Sequence, residues 1–229
     1  MTRVKICGMT NAEDVRLCAE IGAHALGFVV EYPVDVPWNI DRLVARELMQ
    51  GVPPFVTKVI VVGDEPQRVI ELTDTLRPHV VQLHGNEPLD VTRSLVSKLK
   101  SEKGVLVIKA LRFSSESGKY ICEKEDPLEA ARILQDTGVD ALVLDSVSNT
   151  RPAGTGKVVD WQVARELRQQ LRLPIILAGG LNSSNVGQAI AAVDPYGVDV
   201  ISGVEDPVRK KNPDKLKAFF KSIQEISRL

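Results

Sequence analysis

The sequence predicts an α/β fold in which residues 1–229 form a single (β/α)8 TIM barrel. Short runs rich in Val and Ile alternate with longer segments of helical periodicity, a pattern typical of parallel strands buried on both faces. The predicted strands recur about every 25–35 residues, as in a barrel of ordinary size. A doubly wound sheet is the main alternative, but it would need fewer units or a second domain, and no polar low-complexity segment marks a boundary.

The individual elements follow from the same periodicity. Strands are predicted where a short apolar run ends at a glycine or a polar residue: 3–8, 25–31, 56–62, 79–84, 104–110, 140–145, 174–178 and 197–202. Helices are predicted where apolar residues recur at helical spacing: 11–22, 40–50, 66–76, 87–101, 127–138, 159–171, 182–192 and 213–227. Three strand-to-helix loops are longer than packing requires, 32–39, 111–126 and 146–158. In a barrel these loops lie at the face that carries active sites.

Composition and charge narrow the class of ligand. The chain has 44% hydrophobic and 26% charged residues, with 29 Lys plus Arg against 30 Asp plus Glu. No long block of like charge offers a surface for nucleic acid or an anionic membrane, so the predicted partner is a small molecule. No apolar run of about 18 residues is present and the N-terminus enters a strand directly, which predicts a cytoplasmic protein.

The cysteines are predicted to be free thiols. Cys7, Cys18 and Cys122 form an odd set without paired metal-ligand spacing, which favours neither a disulfide framework nor a zinc site. Cys7 is distinctive because it ends an apolar strand and is followed at once by Gly8. A buried small hydrophobe is the usual fate of a free cysteine, and this alternative applies to Cys7 if it is taken alone.

Asp145 repeats the position of Cys7 far downstream, because it closes the apolar run from Ala141 to Leu144. A turn or helix cap is the default interpretation of such an aspartate. If both strands belong to one closed barrel, however, Cys7 and Asp145 meet at one mouth. A thiolate that removes a proton and a carboxyl group that delivers one form an acid/base pair that can move a hydrogen between neighbouring carbons.

Two glycine-containing strand ends predict a phosphate site. Strand 174–178 is followed by Gly179 and Gly180 before a predicted helix start at Asn182, and strand 197–202 ends at Ser202 and Gly203. Glycines expose backbone N–H groups, and a helix N-terminus adds partial positive charge. In barrels, the loops after the seventh and eighth strands are the usual phosphate site.

Other polar residues near strand ends allow two interpretations each. His84 precedes a glycine, and it either lines the pocket or satisfies a backbone carbonyl. The loop 146–158 carries Arg151, Lys157 and two glycines, so it is either a lid that closes over a ligand or a glycine turn into the next helix.

Several charged residues are assigned to structure. Lys5 and Lys109 lie inside apolar strands, and Lys5 shares the face of Cys7. A buried ammonium needs a carboxylate partner, for which Asp199 is a candidate, so structural pairing is favoured over catalysis. The basic run Arg209-Lys210-Lys211 is interpreted as solvated surface.

The sequence resembles the phosphoribosylanthranilate isomerase family of tryptophan biosynthesis nearly from end to end. The resemblance rests on these motifs: Lys5-Ile6-Cys7-Gly8, Gln82-Leu83-His84-Gly85, Leu144-Asp145-Ser146, Gly154-Thr155-Gly156-Lys157 through Asp160-Trp161, Ala178-Gly179-Gly180-Leu181-Asn182, and Val198-Asp199 through Ser202-Gly203-Val204-Glu205. It implies an Amadori rearrangement of N-(5-phosphoribosyl)anthranilate to the ring-opened aminoketose, without a metal or organic cofactor. By matching position, Asp145 is similar to the family's general acid and Cys7 to its general base.

The sequence departs from the family after the second strand. Members commonly have Tyr-Pro and then Ser-Pro-Arg, with the arginine holding the anthranilate carboxylate, whereas Trp38 stands at that arginine's place here. An indole can stack on an aromatic ring but cannot form a bidentate clamp with a carboxylate. Arg42 could supply the charge, or it could be an exposed residue of the first helical turn. The alternatives are a same-fold isomerase acting on a different phosphosugar or aminophosphosugar, and a non-catalytic barrel that binds a phospholigand.

Overall fold

The computed structural model describes residues 1–114, 124–147 and 160–226. The strands in these ranges are β1 Arg3–Ile6, β2 Ala25–Val30, β3 Asn39–Ile40, β4 Thr57–Val62, β5 Val80–Leu83, β6 Leu106–Ser114, β7 Ala141–Val147, β8 Ile175–Leu177 and β9 Gly197–Val200. The α-helices are α1 Ala12–Glu20, α2 Arg42–Gln50, α3 Pro66–Leu76, α4 Leu89–Lys103, α5 Pro127–Gln135, α6 Trp161–Gln170, α7 Val186–Val193 and α8 Pro213–Ile226. In these described ranges, no helix is long and apolar enough to cross a membrane.

Eight of these strands form a closed parallel barrel, which confirms the predicted fold. The strand order is β1-β9-β8-β7-β6-β5-β4-β2, and an additional pairing between β1 and β2 closes the ring. The two-residue strand β3 lies outside the ring and pairs with the end of β2. Because every strand of the barrel runs the same way, the residues that follow the strands gather at one face.

The apolar residues divide between the two sides of the strands. Val59 belongs to a small cluster inside the barrel, whereas its neighbour Ile60 belongs to the large core between strands and helices. This alternation follows from the pleat, which sends successive side chains to opposite faces. A third cluster, which includes Cys7, Tyr32 and Trp38, fills the mouth of the barrel.

Two strands are longer than the sequence predicts. Strands β6 and β7 were expected to end at residues 110 and 145, but their ladder continues to the pair Ser114 and Val147. Backbone pairing extends the ladder although the added residues break the apolar pattern. Asp145 therefore lies two residues before the end of its strand, and the predicted loops 111–126 and 146–158 begin later than expected.

The boundaries around the glycine loops also differ from the prediction. Helix α7 begins at Val186 and not at Asn182, because residues 182–185 form a turn in which the Asn182 carbonyl oxygen accepts hydrogen bonds from the N–H groups of Asn185 and Val186. Strand β9 ends at Val200, and a 3₁₀ turn over Ser202–Val204 follows it.

Candidate active site

A cavity at the carboxyl ends of the barrel strands brings together the residues that the sequence singled out, except Arg42. Its lining includes Cys7, Trp38, His84, Asp145, Gly179, Gly180, Ser202 and Gly203. The barrel accounts for this convergence because β1, β5, β7, β8 and β9 all end at this face. A thiol, a carboxyl group and two glycine loops therefore share one space.

Cys7 is held at the end of β1 with its thiol against the cavity. Its backbone N–H donates to the carbonyl oxygen of Val200 at 2.9 Å, which ties it to β9. Gly8 has a φ of 78°, a backbone conformation that favours glycine. A Cβ at this position would also lie only 2.7 Å from the Trp38 ring, so glycine is required for steric reasons as well. The thiol is 2% exposed, and burial raises its pKa while the positive charge of Lys5 opposes that shift.

Lys5 and Asp199 form a buried ion pair beneath Cys7, as the sequence predicted. The two residues are in register on β1 and β9, and Lys5 Nζ lies 2.6 Å from Asp199 Oδ2. Burial is the largest single influence and lowers the pKa of Lys5, but the charges and hydrogen bonds of Asp199 and Cys7 together outweigh it, and the pKa is raised to about 12. Lys5 therefore stays charged although it is buried. Lys109 is paired in the same way with Glu87 at 3.0 Å.

His84 faces Asp145 across the cavity. His84 Nε2 lies 3.5 Å from Asp145 Oδ2, and the Gln82 amide nitrogen lies 3.2 Å from His84 Nδ1. Burial lowers the pKa of His84, although the nearby Asp145 opposes the shift. His84 therefore lines the pocket beside the carboxyl group, and burial favours its neutral form.

The two glycine loops pack directly against each other. Gly179 and Gly180 have φ angles of 82° and 63°, a backbone conformation that favours glycine. A Cβ on Gly203 would overlap the carbonyl oxygen of Leu181, so the loops after β8 and β9 touch through their backbones. The Asn185 side chain donates to the Gly180 carbonyl at 3.0 Å and fixes the first loop. The loops thus form one polar rim of the cavity.

Trp38 is fixed by a buried carboxylate. Its indole nitrogen donates to Glu205 Oε1 at 2.8 Å and lies 3.1 Å from Oε2. Lys211 Nζ lies 2.6 Å from Glu205 Oε1 and also donates to the Cys7 carbonyl at 2.7 Å. The prediction that Lys211 belongs to a solvated surface run is wrong, because its side chain is fully buried. The physical reason is its pairing with Glu205 after the chain turns back on itself.

Arg42 is not a lining residue of the cavity, so its predicted role in substrate binding is not supported. Its Nε and Nη2 donate to the two oxygens of Glu31 at 2.6 and 2.8 Å, and Arg68 binds the same carboxylate. These hydrogen bonds lower the pKa of Glu31 to about 2, and the hydrogen bond with Arg42 has the largest effect. The other candidate cations, Arg151 and Lys157, lie outside the described residues, as do Cys122 and residues 148–158 of the predicted lid.

Sequence reasoning missed three residues of this site. Glu205 and Lys211 hold Trp38 and Cys7 in place, and the Tyr32 hydroxyl donates to the His84 carbonyl at 3.0 Å. Glu205 was within a motif quoted for the family resemblance, and that was the available signal. Tyr32 belongs to the Tyr-Pro pair that matches the family after the second strand, which was a signal for it. For Lys211, the contacts join segments far apart in sequence, and no local pattern marks it.

Comparison with known proteins agrees with this arrangement. A sequence model of the N-(5'phosphoribosyl)anthranilate (PRA) isomerase family matches residues 4–222. The N-(5'-phosphoribosyl)anthranilate isomerase of Methanocella arvoryzae is 41% identical over 226 residues, covering 98% of this chain and 99% of that protein. The crystal structure of the Thermotoga maritima enzyme is 36% identical with a TM-score of 0.80, covering 98% of this chain and 100% of that one.

A further similar structure contains a ligand. It is a phosphoribosyl anthranilate isomerase in complex with reduced 1-(o-carboxyphenylamino)-1-deoxyribulose 5-phosphate, 35% identical with a TM-score of 0.77, and the match covers 98% of this chain and 100% of that one. The family match, the relatives and the barrel agree over nearly the whole chain. The chain therefore belongs to the N-(5'-phosphoribosyl)anthranilate isomerase family, and it is an isomerase of the aldose–ketose type, an intramolecular oxidoreductase of tryptophan biosynthesis.

Proposed function

We propose that this chain converts N-(5'-phosphoribosyl)anthranilate to 1-(2-carboxyphenylamino)-1-deoxyribulose 5-phosphate, with Asp145 as general acid and Cys7 as general base. The observation that carries the proposal is that both groups line one cavity with the two glycine loops. A phosphosugar bound by those loops would extend across the cavity between the thiol and the carboxyl group. The predicted single domain and cytoplasmic location belong to this proposal.

The chemistry consists of proton transfers within the substrate. Asp145, as the carboxylic acid, gives a proton to the ribose ring oxygen while the bond from that oxygen to C1 breaks, and the amine lone pair forms a Schiff base. The Cys7 thiolate then takes the proton from C2, and the released electron pair neutralises the Schiff base nitrogen to give an enolamine. Loss of the C2 hydroxyl proton and protonation at C1 give the ketone. Acid and base steps of this kind typically contribute about 10²–10⁴-fold each in rate.

The substrate phosphate is proposed to bind between Gly179-Gly180 and Ser202-Gly203. Neighbouring backbone N–H groups in such loops form a concave site for an anion. Since α7 begins only at Val186, the donors are the loop N–H groups and not the first turn of the helix. The absence of side chains on Gly180 and Gly203 allows the phosphate to approach the backbone closely.

At the position of Trp38, the anthranilate carboxylate has no positively charged partner. The indole can stack on the anthranilate ring, and its N–H is already donated to Glu205. We propose that Arg151 or Lys157 of the 146–158 loop supplies the charge. Trp38 also favours a second candidate function, isomerisation of a different aminophosphosugar. Because Cys7 and Asp145 both line the cavity, a purely binding role has less support.

A crystal structure with the reduced product analogue would test the proposed pose. We expect its phosphate between Gly180 and Gly203, and its C2 atom about 3.5 Å from Cys7 Sγ, as a near-attack geometry requires. Asp145 should lie on the side of the sugar ring oxygen. A phosphate bound elsewhere, with both glycine loops empty, would contradict the proposed site.

A further inference from the structure

A buried cation lies directly beside the thiol that we propose as general base. Lys5 lies on β1 and Cys7 directly follows the last residue of that strand, so the two side chains, two residues apart, share the face that points into the barrel. Lys5 is 6% exposed and Asp199, its partner across the β1–β9 ladder, is 7% exposed. Asp199 lines the cavity, whereas Lys5 is buried next to it and is not a lining residue.

Gly27 on the neighbouring strand β2 shows how close the two side chains are. A Cβ at Gly27 would lie 2.5 Å from Cys7 Sγ and 3.1 Å from Lys5 Cε, so both groups occupy the space that glycine leaves. Lys5 and Ala25 are in register across the β1–β2 pairing, which places Gly27 opposite Cys7. The thiol and the last methylene of Lys5 are therefore immediate neighbours.

This proximity matters because burial works against a thiolate. Removing a charged form from water disfavours it, and burial is the main reason that the pKa of Cys7 is raised. The charged groups around the thiol act in both directions: Lys5 and Lys211 lower its pKa, whereas Asp199 raises it. Across the cavity lie the neutral ring of His84 and the carboxyl group of Asp145.

We infer that Lys5 is a positioning residue for the reaction: its ammonium, held in place by Asp199, stabilises the thiolate of Cys7 that takes the C2 proton. Asp199 orients Lys5 and also limits its effect, because its own negative charge lies near the thiol. This inference rests on the proposed role of Cys7 as base. It assigns a chemical role to an ion pair that the sequence alone marks as structural.

The test is the rate at which iodoacetamide alkylates Cys7 in the full-length protein, followed at several pH values by mass spectrometry of the Cys7 peptide. Lys5→Met should slow alkylation at pH 7 by about tenfold or more, since one pKa unit changes the thiolate fraction tenfold. Lys5→Arg should restore most of the wild-type rate.

Lys109→Met is the matched control, because Lys109 is equally buried and paired with Glu87 but lies on β6 and not on β1. It should leave the Cys7 alkylation profile unchanged even if it lowers stability. Equal profiles for Lys5→Met and Lys109→Met would overturn the inference.

Two further measurements keep the test decisive. If Lys5→Met does not fold, Lys5→Gln, which also removes the charge but keeps a polar group beside Asp199, is compared with Lys109→Gln in the same way. Failure of the proposed function is seen separately, because Cys7→Ala would then keep its turnover whatever the alkylation rates show. In folded Lys5→Met enzyme, the rising limb of the kcat/KM profile should move to higher pH.

Discussion

The indole nitrogen of Trp38 donates a hydrogen bond to Glu205 over 2.8 Å, and the same carboxylate pairs with Lys211 at 2.6 Å. Lys211 also donates to the Cys7 carbonyl, so one buried lysine connects the loop after β2, the loop after β9 and the end of β1. Trp38 thus holds a fixed position against Gly8, beside the proposed base. Trp38, which stands where the family has an arginine, is therefore a packed part of the barrel mouth.

Lys211→Met should lower the free energy of unfolding by about 3–5 kcal/mol, because it leaves the Glu205 carboxylate buried without its cation. Lys221→Met is the matched control, since Lys221 is 77% exposed and lies 3.9 Å from Glu225, a pair typical of those that contribute about 0–1 kcal/mol. Urea unfolding of both variants checks this. Equal losses would show that the Glu205 pair does not stabilise the mouth of the barrel.

Arg151→Ala or Lys157→Ala should raise KM for phosphoribosylanthranilate by roughly 10–150-fold, since a charge-assisted hydrogen bond contributes about 1.5–3 kcal/mol. The same variant should lose the preference for substrate over an analogue that lacks the carboxylate. Arg42→Ala is the control and should leave KM unchanged, because Arg42 is bound to Glu31.

A wild-type enzyme that handles substrate and analogue equally well, with no variant altering that ratio, would favour a different substrate. In that case the second candidate function, an isomerase of another aminophosphosugar, becomes the better one. The comparison depends on steady-state kinetics with both compounds at the same pH and ionic strength.

Gly203→Ala should weaken phosphate binding, because the new Cβ would overlap the Leu181 carbonyl and push the two glycine loops apart. Loss of one or two N–H donors to the phosphate predicts an increase of about tenfold or more in the inhibition constant of inorganic phosphate. Gly51→Ala is the control, since Gly51 has a φ of −77° and its nearest contact for a Cβ is at 3.4 Å. Unchanged inhibition in folded Gly203→Ala would place the phosphate elsewhere.

His84 should titrate below its ordinary pKa of 6.5, because burial disfavours its charged form. NMR titration of the histidine rings measures this, and the His84 signal is identified by its loss in His84→Gln. Since the unfolded chain binds the proton more readily than the folded one, the stability due to neutral His84 is complete above pH 6.5 and declines as the pH falls below it. In His84→Gln, the free energy of unfolding should fall less steeply as the pH is lowered below 6.5. A His84 pKa above 6.5 would contradict this account.

The barrel and the convergence of Cys7 with Asp145 could be predicted from sequence because both follow from local patterns. Apolar runs at regular spacing give the strands, and a parallel barrel sends all strand ends to one face. The paired extension of β6 and β7 could not be predicted, because Ser114 and Ser146 break the apolar pattern and only the partner strand shows that the ladder continues.

The pairing of charges was predicted in part. Lys5 lies inside an apolar strand, so its need for a carboxylate is visible in the sequence. Lys211 follows two other basic residues, and its burial depends on a bridge to Glu205 that no local pattern shows. Arg42 was assigned to the substrate because sequence proximity alone cannot show that Glu31 at the end of β2 already binds it.

The most direct test of the central claim is turnover of freshly prepared phosphoribosylanthranilate, followed by the loss of anthranilate-type fluorescence. We predict turnover by the wild type and by Cys18→Ala, whose thiol is buried in the core outside the cavity. Cys7→Ala and Asp145→Asn should each lower kcat by about 10²–10⁴-fold with little change in KM. Absence of turnover by folded wild-type protein, or near-normal kcat in either variant, would contradict the account.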